Sequence, residues 1–172
     1  MGAGVGAFVV ELILGGAASG KSRFAVERLL ALPHPVLLAT GKAHDLGFRE
    51  QIEAHRRERP GHLPVVECGV HLATALRSLQ GASVLVESLD FWAFAALDAG
   101  VWSSESAALI ETVENWRQGR LLMVSQEMGL SPLVMDAGAR TLARALGGLH
   151  QKLAAVCQHV YLVVAGFPQT LK

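Results

Sequence analysis

Cysteine is scarce in this chain and net charge is absent. Cys68 and Cys157 are the only two cysteines in 172 residues, far apart and without a CxxC or Cys/His ligand cluster beside either. That spacing points to buried, reduced thiols rather than a redox or metal role. The 15 basic side chains are matched by 15 acidic ones. Nothing in that balance supplies the electrostatic footprint of sequence-independent nucleic-acid binding, so no nucleic-acid partner is expected. The most apolar stretch, residues 84–102, is broken by Glu87, Asp90 and Asp98, and no membrane span is expected. The start "MGAGVGAFVVELIL" lacks the basic opening of a signal peptide, and Gly6 stands where a myristoylation signal needs Ser or Thr. A cytoplasmic protein is the expectation. No Asn-Lys-x-Asp segment that would read guanine occurs.

What is present is apolar substance: 51% of the residues are apolar and 17% charged. That suits an α/β protein whose parallel strands are covered by helices on both faces, and it hints at contacts between subunits. The length suffices for one well-buried core and not for two ordinary domains, so residues 1–172 are read as a single domain. Short apolar runs at 9–14, 35–40, 83–88, 120–126 and 159–166 read as strands buried on both sides. Helical patterns lie between them near 22–31, 47–58, 70–79, 90–99, 104–117 and 136–158. Phe91, Trp92 and Phe94 are read as packing residues or an interface, and Trp102 and Trp116 likewise.

The chemistry starts at "LILGGAASGKSRFAVERLL". Gly15-Gly16-Ala17-Ala18-Ser19-Gly20-Lys21-Ser22 fits the P-loop spacing and lies between an apolar strand and a helical pattern, the context that gives the spacing meaning. Glycines let successive N–H groups turn inward onto phosphate oxygens, and the helix adds its positive N-terminal end. Lys21 is expected to reach the β- and γ-phosphates and Ser22 to ligate Mg²⁺. A carboxylate at a neighbouring strand end is also needed, and Glu87 of "VLVES" is the candidate on the metal or nucleotide side, with Asp90 a turn further on. Glu127, at the end of another expected strand, faces either the nucleotide or solvent.

A second patch, "IEAHRRERPGH", places His55 among Arg56, Arg57 and Arg59 on a helical pattern that stops at Pro60. Imidazole can attack an α-phosphorus, and guanidinium groups can neutralise triphosphate charge during the attack. A histidine on a polar helix can equally be a plain surface residue, and both readings stand on local sequence alone.

Taken in order, "GGAASGKS", "IEAHRRERPGH", "VECGVHL", "VLVESLDFW", "VSQEMG" and "GGLHQKLAAVCQHVYLVVAGFPQTLK" resemble the adenosylcobinamide kinase/adenosylcobinamide-phosphate guanylyltransferase family over nearly the whole chain. The resemblance implies a RecA-like, mainly parallel sheet, a homotrimer, and a role in cobalamin assembly. It implies GTP (or ATP) and Mg²⁺, with adenosylcobinamide or its phosphate as the small-molecule substrate. The implied first step phosphorylates the hydroxyl of the aminopropanol arm. The second transfers GMP to that phosphate through a guanylylated histidine, which falls on His55, with Arg59 beside the nucleotide.

Some positions depart from the family pattern. Ala18 and Gln51 stand where arginines are usual, Gln126-Glu127-Met128-Gly129 replaces Asn-Glu-Val-Gly, and His150-Gln151 replaces Asn-Gln. In the stretch after Gly129, Arg140 has a counterpart, whereas a usual Arg-Asp pair falls on Ala143 and Arg144. Two other functions therefore stay open: a P-loop kinase without guanylyltransferase activity, and a non-catalytic protein whose conformation GTP gates.

Overall fold

The computed structural model describes residues 8–40, 61–130 and 136–172. The helix expected at 47–58 lies outside them. Strand β1 (Val9–Gly15) leads through the glycine loop into helix α1 (Lys21–Leu30), followed by β2 (Pro35–Ala39), β3 (Val65–Glu67) and α2 (Leu72–Ser78). Next come β4 (Ser83–Glu87), α3 (Leu89–Asp98), α4 (Trp102–Glu114) and β5 (Arg120–Gln126), then α5 (Ala137–Val156) and a hairpin of β6 (His159–Val164) and β7 (Phe167–Thr170). The sheet order is β3-β2-β4-β5-β1-β6-β7. Among the described residues, only the β6–β7 pairing is antiparallel.

The central strands are apolar along their length because both faces are covered. Side chains alternate between the faces. Val10, Leu12 and Leu14 of β1, Val84 and Val86 of β4, and Leu121 and Met123 of β5 join one core with residues of α2 to α5, including Trp92, Leu109 and Leu149. Ile13, Leu37, Leu85, Leu122 and Val124 join the other with Ala25 and Leu29 of α1. Trp92 and Trp116 are fully buried, whereas Phe94 leaves 41% of its surface exposed, so of the two expected roles, packing or interface, it does not fill the first within this chain. Cys68 and Cys157 are both buried, and neither is joined in a disulfide. Burial pushes the Cys157 thiol up to about 12, where it is inert as a nucleophile.

One charged residue interrupts β1. Glu11 shares the α1 face with Ile13 and is buried. Its carboxylate accepts from Arg28 Nε at 2.8 Å and Nη2 at 3.0 Å, and from Arg120 Nη2 at 3.0 Å. The Arg28 guanidinium also lies over the rings of Phe24 and Tyr161, at 5.4 and 5.1 Å from their centroids. Removing the carboxylate strands two cations. Because both arginines keep part of their side chains in water, Glu11→Ala is expected to cost about 2–3 kcal/mol, below the value for a fully buried pair. Urea denaturation monitored by tryptophan fluorescence checks this, and an unchanged midpoint contradicts it.

The last strand run differs from expectation. The run read as one strand over 159–166 ends at Val164, and Ala165 (φ 51°) and Gly166 (φ 83°) form a two-residue turn with positive φ at both positions. That geometry matches the twist of the flanking strands, and β7 returns alongside β6 as the sheet edge.

Candidate nucleotide site

The glycine loop sits at the C-terminal edge of the sheet, where β1 runs out between β5 and β6. Gly15 admits no side chain: a Cβ there would lie 2.5 Å from Ser19 Oγ and 2.7 Å from the Val163 carbonyl oxygen. Gly20 has φ +91°, and a Cβ on it would lie 3.1 Å from Gly166 Cα. The β6–β7 turn is thus part of the loop's wall, and the Gly166 N–H donates to the Ser19 carbonyl at 2.8 Å. Gly15→Ala forces Ser19 or a backbone carbonyl to move. It is expected to weaken nucleotide binding by about 10-fold to 100-fold, measured by calorimetry, while binding at the parental affinity would contradict the tight packing.

Helix α1 opens without a side-chain cap. Its first N–H groups and the positive end of the helix therefore face the loop with no side chain competing for them. The Ser19 hydroxyl is buried without a hydrogen-bond partner. Lys21 Nζ donates to the Gly16 carbonyl at 3.2 Å across the loop. Burial pushes the Lys21 ammonium below its usual range, and the negative charges of Asp90 and then Glu87 pull it back up.

Glu87 ends β4 on the same face as Leu85, the face that α1 covers, and is only 7% exposed. The strand end is tied to the segment after β2: Thr40 N–H donates to the Glu87 carbonyl at 3.1 Å and Thr40 Oγ1 to the Ser88 carbonyl at 2.6 Å. Asp90, in the first turn of α3, accepts the Gln126 N–H through Oδ1 at 3.1 Å, which joins the ends of β4 and β5. Glu127 donates its N–H to the Gly15 carbonyl at 3.0 Å, and its Oε1 accepts the Gly129 N–H at 2.7 Å.

Behind this edge lies a buried polar cluster. His150 of α5 places Nε2 2.8 Å from Ser125 Oγ, and Nδ1 3.4 Å from Glu127 Oε2, near enough for attraction but without an aligned hydrogen bond. Burial lowers the His150 pKa, with Glu127 and Asp90 opposing. Ser125 is fully buried, so the Ser-His-Glu order is a structural tie between β5 and α5 and offers no accessible nucleophile. His71 pairs with Glu105 at 2.7 Å on the surface.

Of the residues singled out from sequence, Gly15 to Ser22 and Glu87 converge on one edge. His55 and Arg59, with Gln51, Arg56 and Arg57, lie outside the described residues. Asp90 belongs beside Glu87 in this arrangement, and the Ser125–His150 contact joins residues that local sequence keeps apart. Among the described residues no group of three or more His, Cys, Asp or Glu is placed to hold a metal by itself. The chemistry of the donor set fits a P-loop Mg²⁺ nonetheless, since such an ion takes few protein ligands and shares phosphate oxygens.

A glycine loop with a lysine at the start of its helix, set on the C-terminal edge of a mainly parallel sheet, defines a P-loop nucleotide-binding protein of RecA-like α/β architecture. Solved structures bear out the fold. An ATPase of the type III secretion system of pathogenic bacteria matches with TM-score 0.54 at 15% identity, covering 94% of this chain and 56% of that one. A protein from Pyrococcus horikoshii OT3 matches with TM-score 0.58 at 8% identity, covering 95% and 86%. The chain belongs to the cobinamide kinase / cobinamide phosphate guanyltransferase family, whose model matches residues 11–171. It is 38% identical over 169 residues to the bifunctional adenosylcobalamin biosynthesis protein CobP of Pseudomonas aeruginosa, covering 94% of this chain and 96% of the relative. The CobU protein of the same description from Salmonella typhimurium is 28% identical, with 94% and 98% covered. The family is one of enzymes with kinase and nucleotidyltransferase activity in cobalamin biosynthesis.

Proposed function

We propose that this chain, as a single nucleotide-binding domain over residues 1–172, phosphorylates the aminopropanol hydroxyl of adenosylcobinamide and then transfers GMP from GTP to that phosphate. The observation that carries the reading is the half-buried Lys21 inside a Gly15–Ser22 loop, facing Asp90 and Glu87. The loop N–H groups and the α1 terminus would cradle the triphosphate, and Lys21 would exchange the Gly16 carbonyl for the β- and γ-phosphate oxygens. Ser22 and Glu87 would hold Mg²⁺, which when bound neutralises charge across those oxygens. ATP is the alternative donor for the phosphoryl step.

For nucleotidyl transfer, His55 would attack the α-phosphorus of GTP. An N–P bond forms, the bond from the α-phosphorus to the α,β-bridging oxygen breaks, and pyrophosphate leaves. A phosphate oxygen of the acceptor then displaces the imidazole. Arg59 would offset charge on the triphosphate during the attack.

The protein would act in the cytoplasm as a homotrimer. Exposed apolar residues at both sheet edges support self-association: Val65 and Val66 on β3, and Val164 and Phe167 at the β6–β7 turn. Among the described residues no helix is long and apolar enough to cross a membrane. A time course with adenosylcobinamide, GTP and Mg²⁺ tests the reaction. Adenosylcobinamide phosphate should rise first and give way to adenosylcobinamide-GDP with release of one pyrophosphate, and unchanged adenosylcobinamide alongside bound GTP would overturn the reading.

A further inference from the structure

The acceptor of the phosphoryl step is an alcohol, and its proton needs a destination. Among the described residues three carboxylates stand at the loop edge. Glu87 is nearly buried at the strand end and, in the reading above, lies on the metal side. Glu127 has one oxygen on the Gly129 N–H and the other beside His150, which commits it to the α5 side. Asp90 differs from both. It is half-buried, its Oδ1 is fixed by the Gln126 N–H at 3.1 Å, and it is the carboxylate that acts most strongly on Lys21. A carboxylate anchored through one oxygen keeps its other oxygen in a set direction, the arrangement a general base needs.

We infer that Asp90 is the general base of phosphoryl transfer, receiving the proton of the acceptor hydroxyl. The inference rests on the kinase reading of this site. As the hydroxyl oxygen bonds to the γ-phosphorus, the bond from the γ-phosphorus to the β,γ-bridging oxygen breaks and the nucleoside diphosphate leaves with that electron pair. The proton passes to Asp90 Oδ2 and from there to water. Nucleotidyl transfer makes a different demand, because its acceptor is already a phosphate and has no alcohol proton to lose.

The two half-reactions therefore separate a base from a structural residue. Asp90→Asn keeps an oxygen for the Gln126 N–H but cannot take a proton. With the full chain, kcat for phosphorylation of adenosylcobinamide should fall about 100-fold or more, with KM for GTP nearly unchanged. GMP transfer to chemically prepared adenosylcobinamide phosphate should fall no more than a few-fold. Asp90→Glu, which restores a carboxylate, should recover part of the phosphorylation rate. Equal losses in both half-reactions, or a loss confined to GTP binding, would make Asp90 a structural tie and overturn the inference. An unchanged phosphorylation rate in Asp90→Asn would overturn it while leaving the kinase reading intact. If the parental protein itself fails to phosphorylate adenosylcobinamide, the kinase reading falls and the inference with it.

Discussion

Lys21→Ala is expected to lower kcat/KM for phosphoryl transfer by roughly 10³-fold, the scale of removing a preorganised charge from a developing anionic centre. Lys21 is held over the loop by the Gly16 carbonyl, half-buried and beside two carboxylates. The charges of those carboxylates oppose the effect of burial on the Lys21 ammonium, and once the triphosphate enters, that ammonium is the side chain of the loop able to follow charge onto the β,γ-bridging oxygen. The loop N–H groups and the α1 terminus survive the substitution, so nucleotide binding should weaken far less than turnover. Steady-state kinetics with GTP as the varied substrate, alongside a direct binding titration, separate the two. A loss below tenfold in kcat/KM would show that the lysine is a bystander of the loop.

The second large effect is expected at His55. On the proposed mechanism, replacement by alanine removes the nucleophile of nucleotidyl transfer and should reduce GMP transfer by about 10⁴-fold or more, while phosphorylation of adenosylcobinamide proceeds. The asymmetry is the point of the prediction. The P-loop presents donors and a cation but no nucleophile at the α-phosphorus, so in the proposed mechanism the two reactions draw on different side chains. Assaying each half-reaction with its own acceptor checks it. Equal survival of both reactions would show that His55 is not the nucleophile, and absence of GMP transfer from the parental protein itself would favour a kinase alone.

Much of the arrangement around the nucleotide was legible along the chain. Strand β1, the loop and α1 follow from an apolar run, closely spaced glycines and a helical recurrence, and the close approaches at Gly15 and Gly20 show why those two glycines are needed. Glu87 was legible as a polar residue closing an apolar strand. The two sheet edges were not. Strand β3 is three residues long and exposed throughout, so it carries no burial pattern to read. Strand β7, with the sequence Phe-Pro-Gln-Thr, is likewise exposed; its proline is tolerated because an edge strand can spare a ladder donor. The end of β6 was hidden because Val-Val-Ala-Gly reads as one apolar run, while positive φ at Ala165 and Gly166 turns the chain.

Pairings between distant residues were harder still. Asp90 meets Gln126 and Ser125 meets His150 only because β5 inserts between β4 and β1 and α5 covers that face. No local spacing encodes such contacts. The charge of Glu11 within apolar β1 is met by Arg28, which α1 brings onto it, and by Arg120 from the neighbouring strand.

The most direct test of a nucleotide held at the loop and attacked at its α-phosphorus is intact-mass spectrometry of the purified protein after incubation with GTP and Mg²⁺, without acceptor. Peptide mapping follows under non-acidic conditions that preserve a phosphoramidate. The account predicts a single GMP adduct, mapped to His55 and discharged by adenosylcobinamide phosphate. A protein that binds GTP yet carries no adduct, or one modified at another residue, would contradict it.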